Sequence, residues 1–190
     1  MAGQPEMMGK REKILRSAFQ VFTEKGFHVA KVSDVAELAK VGKGTVYEYF
    51  SNKEDLLRGV IEEGIHFYMN QLNLQIVSSA TPWEKIKNLL KKHGEILRND
   101  QKMSQLIFEN FGVMTQEFHQ FLLEQRQGFI RMIQDILQDG IDQGQIRPIP
   151  LELGARIVLG MIVAIHCEDQ CLSDSSIDQM IVTLERGFLS

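Results

Sequence analysis

The stretch Val32–Leu57 constrains the fold more than any other part of the chain, because it permits only short helices joined by tight turns. Val35, Ala36 and Ala39 recur at helical spacing, which predicts a first helix with a single apolar stripe. The segment Lys40–Gly42 interrupts this pattern, and its glycine is an acceptable helix start. A second short helix follows, so the stretch predicts a helix-turn-helix.

The second short helix, predicted from Lys43 to Phe50, carries side chains suited to DNA. Val46 and Phe50 lie four residues apart and are predicted to face inward. The other faces present a lysine, a glycine, a threonine and two tyrosines, namely Lys43, Gly44, Thr45, Tyr47 and Tyr49. Such groups suit a surface that approaches phosphates and base edges, so this helix is predicted to read DNA.

A third helix begins directly after this pair. Ser51 and Glu54 have the spacing of an S-x-x-E capping box, which predicts a helix that starts at Lys53. Free backbone N–H groups and the helix dipole favour an anion in the first turn. Lys53 is therefore predicted to contact a DNA phosphate.

These motifs resemble the signature of the TetR family of transcriptional regulators. The run Gly44–Phe50, G-T-V-Y-E-Y-F, is similar to the G-T-x-Y-x-Y/H-F recognition helix of that family. The run Asn52–Leu57, N-K-E-D-L-L, is similar to its N-K-x-x-L-L motif, and the match runs in order from Lys10. Two positions depart from the pattern, because Lys31 replaces the usual threonine and Lys40 the usual glycine.

The resemblance implies a homodimeric repressor that binds a palindromic double-stranded DNA operator. It implies that the DNA-contacting residues are Lys31, Ser33, Lys43, Gly44, Thr45, Tyr47, Tyr49 and Lys53. At the turn, a positive φ at Lys40 would cost roughly 1 kcal/mol, and Gly42 is expected to supply the flexibility instead.

Composition and pattern predict an all-α protein in two parts. The 190 residues are 44% hydrophobic, contain four prolines and show no extended β-type alternation. We expect a helix-turn-helix DNA-binding domain over residues 1–52, with residues 1–9 as an arm. We expect a helical ligand-binding and dimerisation domain over residues 53–190, joined to it by a long helix.

The charge distribution supports this division. The chain has a net charge of −4, with 21 basic and 25 acidic residues. Residues 1–60 contain 10 of the basic and 8 of the acidic residues, so the first part is mildly basic and the rest is acidic. A basic first part on an acidic second part would orient the first part toward DNA.

Apolar residues at helical spacing, together with residues that begin or end helices, predict the remaining helices. Gly26 is expected to end the first helix as a left-handed cap, and Thr81–Glu84 is a second capping box, with proline at the first helical position. The predicted helices outside the short pair are 10–25, 53–77, 82–99, 103–111, 115–143, 151–170 and 174–189. The long helix, the Gly-x-Ile-Arg-Pro loop and two closing helices also resemble a TetR-family body.

The resemblance further implies a ligand pocket in the second part, for a small apolar effector that releases the repressor. Methionine and aromatic side chains at helical spacing usually form core, but they also line pockets. The predicted wall is Trp83, Phe108, Phe111, Met114, Phe118 and Met161, with His93 and Gln125 as polar anchors.

The last two helices are predicted to form the dimer interface as a four-helix arrangement. Their apolar positions are Ile157, Gly160, Met161 and Ala164, and then Ile177, Ile181 and Leu184.

Two other functions remain open. Cys167 and Cys171 lie one helical turn apart, so the protein could be a metal- or redox-sensing regulator, although two small buried residues between helices explain them better. A helical small-molecule-binding protein without DNA function is the second alternative, and Lys31 and Lys40 are its support.

Other classes are not supported by the sequence. His93, His119 and His166 have no nucleophile or paired carboxylate at a recognisable spacing, and the run Gly42–Thr45 lacks the spacing of a nucleotide-binding loop, so no enzyme, metal or cofactor is predicted. The longest apolar run, Ile157–Ile165, is too short to cross a membrane, and no signal peptide is visible. A cytoplasmic location is therefore expected.

Overall fold

The computed structural model describes residues 9–99, 101–110, 112, 114–166 and 173–189, without the side chains of Phe108 and His166. Over these residues the chain forms helices and no strand, and the single isolated bridge joins Ile146 and Leu189. The helices are α1 Lys10–Lys25, α2 Val32–Ala39, α3 Lys43–Tyr49, α4 Lys53–Val77, α5 Pro82–Asn99, α6 Lys102–Asn110, α7 Gln116–Asp142, α8 Leu151–His166 and α9 Asp174–Phe188.

The observed helices confirm the predicted all-α class. The bounds of α1, α4 and α5 agree with the prediction, and α3, α6, α7 and α9 differ by about one residue at their ends. The predicted extension of α8 to Gln170 lies outside the described residues. Of the helices described, none combines the length and the hydropathy that crossing a membrane requires.

The chain divides into two compact units. The first unit contains the residues up to Phe67 together with Lys102–Phe118, and the second contains Tyr68–Gln101 and the residues from His119 onward. The first unit therefore includes α6 and much of α4, which the sequence assigned to the second part. These units are defined by packing, so the functional division at residue 52 stays a prediction.

The first unit has a core built on α1 and the short helices. Its fully buried side chains include Ile14, Phe22, Val35 and Val46, and α6 packs against α1. Gly59 lies so close to Phe50 that a Cβ at this position would approach the phenyl ring to 2.8 Å. The helix-turn-helix is thus packed directly on the start of α4.

The second unit has a larger apolar core, to which α5 contributes one face against α8 and α9. Ile86, Leu89 and Leu90 of α5 are fully buried, as are Ile133 and Leu137 of α7. Partly buried methionines surround this core at Met69, Met132, Met161 and Met180.

Two helix starts show how local sequence fixes the ends. At α5 the predicted capping box is present, because Thr81 Oγ1 accepts from the N–H of Glu84 and Glu84 Oε2 accepts from the N–H of Thr81. At α4 the predicted box of Ser51 and Glu54 is wrong. Asn52 Oδ1 accepts from the N–H of Asp55 at 2.7 Å, and the Asp55 carboxylate accepts from the N–H of Ser51.

The turn between α2 and α3 places its strain at Lys40. This residue has φ 56° and ψ 45°, whereas Gly42 has φ −67° and an ordinary extended conformation. The expectation that Gly42 supplies the flexibility is therefore wrong. Gly26 and Gly144 do adopt positive φ after α1 and α7, although ψ at Gly26 is 143°, outside the left-handed helical region.

We expect Lys40→Gly to stabilise the protein, because a non-glycine residue in the left-handed region carries strain of about 1 to 2 kcal/mol. The greater freedom of glycine in the unfolded chain offsets part of this, which leaves a net gain of about 0.5 to 1 kcal/mol. Urea unfolding followed by circular dichroism measures the change. Gly42→Ala is the matched control and should change the free energy of unfolding little. If Gly42→Ala lowers this free energy by more than Lys40→Gly raises it, the strain of the turn does not lie at Lys40.

Candidate functional site

The predicted recognition helix α3 presents its polar residues to solvent. Tyr47 and Tyr49 are 47% and 44% exposed, while Val46 is buried beneath them. Lys43 and Gly44 are exposed at the first turn, and the Lys43 ammonium lies 5.8 Å from the centre of the Tyr47 ring. Thr45 is half-buried. Hydroxyls, a cation and open backbone N–H groups thus share one short helix, as contacts with phosphates and bases require.

The start of α2 is held by an acidic side chain. The Asp34 carboxylate accepts from the Lys25 ammonium at 2.9 Å and from the backbone N–H of Lys31 at 3.2 Å. These two hydrogen bonds lower the pKa of Asp34. The side chains of Lys31 and Ser33 remain exposed, as the DNA-contact prediction requires.

Lys53 has a different environment from the other predicted DNA-contacting residues. Its ammonium donates to the carbonyl oxygens of Phe27 at 2.7 Å, His28 at 3.2 Å and Ala30 at 3.1 Å. It also lies 4.5 Å from the centre of the Phe27 ring. Since an ammonium has three protons to donate, the geometry favours an internal role over a phosphate contact. The phosphate contact of Lys53 stays a prediction that this geometry opposes.

The predicted ligand-binding residues fall into both units. Met114 and Phe118 line a cavity of about 280 Å³ in the first unit, together with residues at the start of α4 that include Asp55 and Arg58. Phe118 is buried, with 1% of its surface exposed. Phe111 lies outside the described residues, and nothing is described of the Phe108 side chain. Trp83, His93, Gln125 and Met161 belong to the second unit.

Within the second unit, two of these residues are tied by hydrogen bonds. Trp83 is buried, and its indole N–H donates to Glu185 Oε1 at 3.0 Å. His93 is 6% exposed, and its Nδ1 atom is hydrogen-bonded to the Tyr68 hydroxyl at 2.8 Å. Gln125 and Met161 are half-buried. No local sequence pattern indicates the pairing of Tyr68 with His93, because the two residues are 25 positions apart.

The predicted interface residues of α8 are exposed except for Met161, which is half-buried, so an interface on α8 stays a prediction. The predicted interface residues of α9 are wrong. Ile177, Ile181 and Leu184 are buried in the core of their own chain. On α8, by contrast, an apolar stripe faces solvent, formed by Leu153, Ile157, Gly160, Val163 and Ala164. A Cβ added at Gly160 would meet no atom within 4 Å.

The candidate metal or redox residues Cys167 and Cys171 lie outside the described residues. Among the residues that are described, no group of three or more His, Cys, Asp or Glu side chains could hold a metal ion.

Comparison with known proteins identifies both parts of the chain. Residues 14–60 match the family model of bacterial regulatory proteins of the tetR family. Residues 79–167 match the model of the tetracyclin repressor-like C-terminal domain.

Individual relatives extend across most of the chain. The fatty acid metabolism regulator protein of Bacillus subtilis is 32% identical in an alignment of 168 positions, which covers 82% of this chain and 82% of its own. The transcriptional repressor KstR2 of Mycolicibacterium smegmatis is 25% identical over 73% of this chain and 68% of its own. The transcriptional regulator FadR from Bacillus subtilis, solved with stearoyl-CoA, superposes with a TM-score of 0.73 at 26% identity, covering 92% of this chain and 97% of the other.

These matches confirm the prediction of a DNA-binding regulator of transcription that responds to a ligand, and they do not fit an enzyme. They favour this function over both alternatives, the metal or redox sensor and the binding protein without DNA function. Family models that together match more than half of the chain, and a relative 32% identical over most of it, show that this protein belongs to the TetR family of bacterial regulatory proteins.

Proposed function

We propose that this protein is a homodimeric repressor whose effector is a long-chain acyl-coenzyme A. The observation that carries the proposal is its 32% identity to a fatty acid metabolism regulator, together with its likeness to a regulator that was solved with stearoyl-CoA. The predicted effector, a small apolar molecule, is thereby narrowed to a thioester with a long acyl chain.

The second unit supports this choice through its composition. Its core consists mainly of aliphatic and aromatic side chains of α5, α7, α8 and α9, with Leu72 and Ile76 of α4, and such a core suits a hydrocarbon chain. Methionines at positions 69, 132, 161 and 180 surround this core and can change rotamer at low cost, so the core can open for a ligand. We infer that the predicted residues Trp83, His93, Gln125 and Met161 contact the acyl group.

On the DNA side, we infer that α3 enters the major groove. Its contacts would come from Lys43, Gly44, Thr45, Tyr47 and Tyr49, with Lys31 and Ser33 at the start of α2. A dimer would place two such helices in successive major grooves, about 34–36 Å apart, which requires a palindromic operator. The exposed stripe of α8 supports a dimer interface there, because so many apolar side chains are costly to leave in water.

Since regulators of this bacterial family bind DNA, we infer a cytoplasmic location.

Effector binding is expected to weaken DNA binding roughly 5- to 150-fold, the usual range for coupling between two sites. The measurement is fluorescence anisotropy with a palindromic duplex selected from a random library by this protein. Stearoyl-CoA should raise the Kd for DNA, whereas coenzyme A alone should not, because it lacks the acyl chain. By linkage, the duplex must weaken stearoyl-CoA binding by the same factor. An equal Kd with and without stearoyl-CoA would refute the proposal.

A further inference from the structure

A partly buried hydrogen bond connects α4 to α5 inside the second unit. The Tyr68 hydroxyl and His93 Nδ1 are 2.8 Å apart, and the two rings pack edge to face with centroids 5.7 Å apart at 80°. Burial raises the pKa of the Tyr68 hydroxyl well above its usual value, so it stays protonated and can donate. The pair is thus a directional contact beside an apolar core.

The contact is polar, whereas the core around it is apolar. In the part of the second unit that the structure describes, His93 is the only polar or charged residue that is buried. A polar group in such a core is costly unless it is hydrogen-bonded, so the Tyr68 hydroxyl compensates the burial of His93. A purely structural core would be better served by apolar side chains at both positions.

Tyr68 lies at the point where α4 enters the second unit. Tyr68 is the first residue of the second unit on α4, and α4 continues without a break from the first unit. Over residues 68–77, the other buried side chains of α4 are Leu72 and Ile76, which are apolar. Among the described residues, the bond to His93 is the only side-chain hydrogen bond or ion pair that joins this part of α4 to another helix. Apolar contacts tolerate sliding, whereas a hydrogen bond fixes position.

When an acyl thioester enters this core, its hydrocarbon chain is accompanied by one polar group, the thioester carbonyl oxygen. Once buried, that oxygen needs a donor. The donor in this pair depends on the tautomer of His93. In the tautomer whose Nδ1 accepts the single hydroxyl proton of Tyr68, a carbonyl oxygen that takes this proton takes it from the imidazole. The side chains that hold α4 in place are therefore also those able to satisfy the ligand.

We propose that the thioester carbonyl of the effector replaces His93 as the hydrogen-bond partner of Tyr68, and that loss of the Tyr68–His93 bond transmits effector binding to α4. This inference rests on the proposed acyl-coenzyme A function. Tyr68 and His93 are then positioning residues for the DNA response, and the carbonyl, not the acyl chain alone, is the group that triggers release.

The first test uses the unmodified protein and two ligands of equal chain length. Stearoyl-CoA carries the thioester carbonyl, and S-octadecyl-CoA is a thioether that lacks it. Both ligands should bind, because their acyl and alkyl chains are alike. The factor by which the thioether raises the Kd for DNA should be roughly fivefold smaller than the factor for stearoyl-CoA, which is the contribution expected of one hydrogen bond. Equal release by the two ligands overturns the inference while leaving the proposed function intact.

The second test uses variants. Tyr68→Phe keeps the ring and removes the hydroxyl, so the ratio of the Kd for DNA with and without stearoyl-CoA should fall roughly fivefold. Gln138→Ala is the matched control, because it removes a side-chain hydrogen bond to Asp142 on the exposed surface of α7 in the same unit but no contact of α4, and its ratio should equal that of the wild type. Circular dichroism checks folding. A wild-type ratio in Tyr68→Phe overturns the inference, and a wild type that ignores stearoyl-CoA overturns the proposed function and the inference together.

Discussion

Gly160→Arg should convert the dimer into monomers and abolish operator binding at concentrations where the wild type binds. Gly160 lies in the exposed apolar stripe of α8, and among the described residues no atom of another element lies within 4 Å of a Cβ added there. The folded monomer therefore accommodates arginine. In the proposed interface the same charge would be buried without a partner, at a cost of several kcal/mol. A single monomer contacts too few phosphates for useful affinity.

Sedimentation velocity measures the change in oligomeric state, and fluorescence anisotropy measures the loss of DNA binding. Gly128→Arg is the control on α7, since a Cβ there has its nearest neighbour 4.0 Å away, at an Arg131 nitrogen. This variant adds the same side chain outside the proposed interface and should remain dimeric. If Gly160→Arg sediments as a dimer, the interface lies on another surface.

Lys53→Met should destabilise the first unit by about 2 kcal/mol, because it leaves three backbone carbonyls without their charged donor. Thermal and urea unfolding measure this loss. In the protein that remains folded, the salt dependence of DNA binding should be unchanged, because no phosphate contact is removed.

Lys43→Met is the matched variant on the exposed face of α3. It should leave stability unchanged and lower the slope of log K against log salt by about 1, as expected for one phosphate contact. The opposite pattern, a lower slope and an unchanged stability for Lys53→Met, would restore the original prediction that Lys53 contacts DNA.

The helices and their order could be predicted because their signals are local. Apolar residues at spacings of three and four mark α1 and α7, and the Thr81–Glu84 box places the start of α5 within four residues of sequence. The motif of α3 indicates the family without any knowledge of packing. The residue types on its exposed face follow from the chemistry of DNA and stand close together in the sequence. Small errors at the ends, such as Asn52 in place of Ser51 as the cap of α4, arise because adjacent polar residues compete for the same N–H groups.

Contacts between distant residues could not be predicted. The sequence gives Lys53 as a cation at a helix start, but only the folded chain brings it to carbonyls 23 to 26 residues earlier. The Trp83–Glu185 pair is separated by 102 residues, and no pattern in either helix indicates the other. Helical spacing also does not tell which unit a side chain joins, and the predicted ligand-binding residues Phe118 and Trp83 belong to different units.

The all-α class, the helix-turn-helix and the family can be read from the sequence, because each depends on the order of residues along one or two turns. Which apolar face becomes covered depends on tertiary packing. The apolar positions of α8 and α9 look alike in sequence, yet Ile177 and Ile181 are buried and Val163 is 51% exposed. The physical reason is that periodicity fixes the direction of a side chain relative to its own helix, whereas burial depends on which neighbouring helix packs against that side.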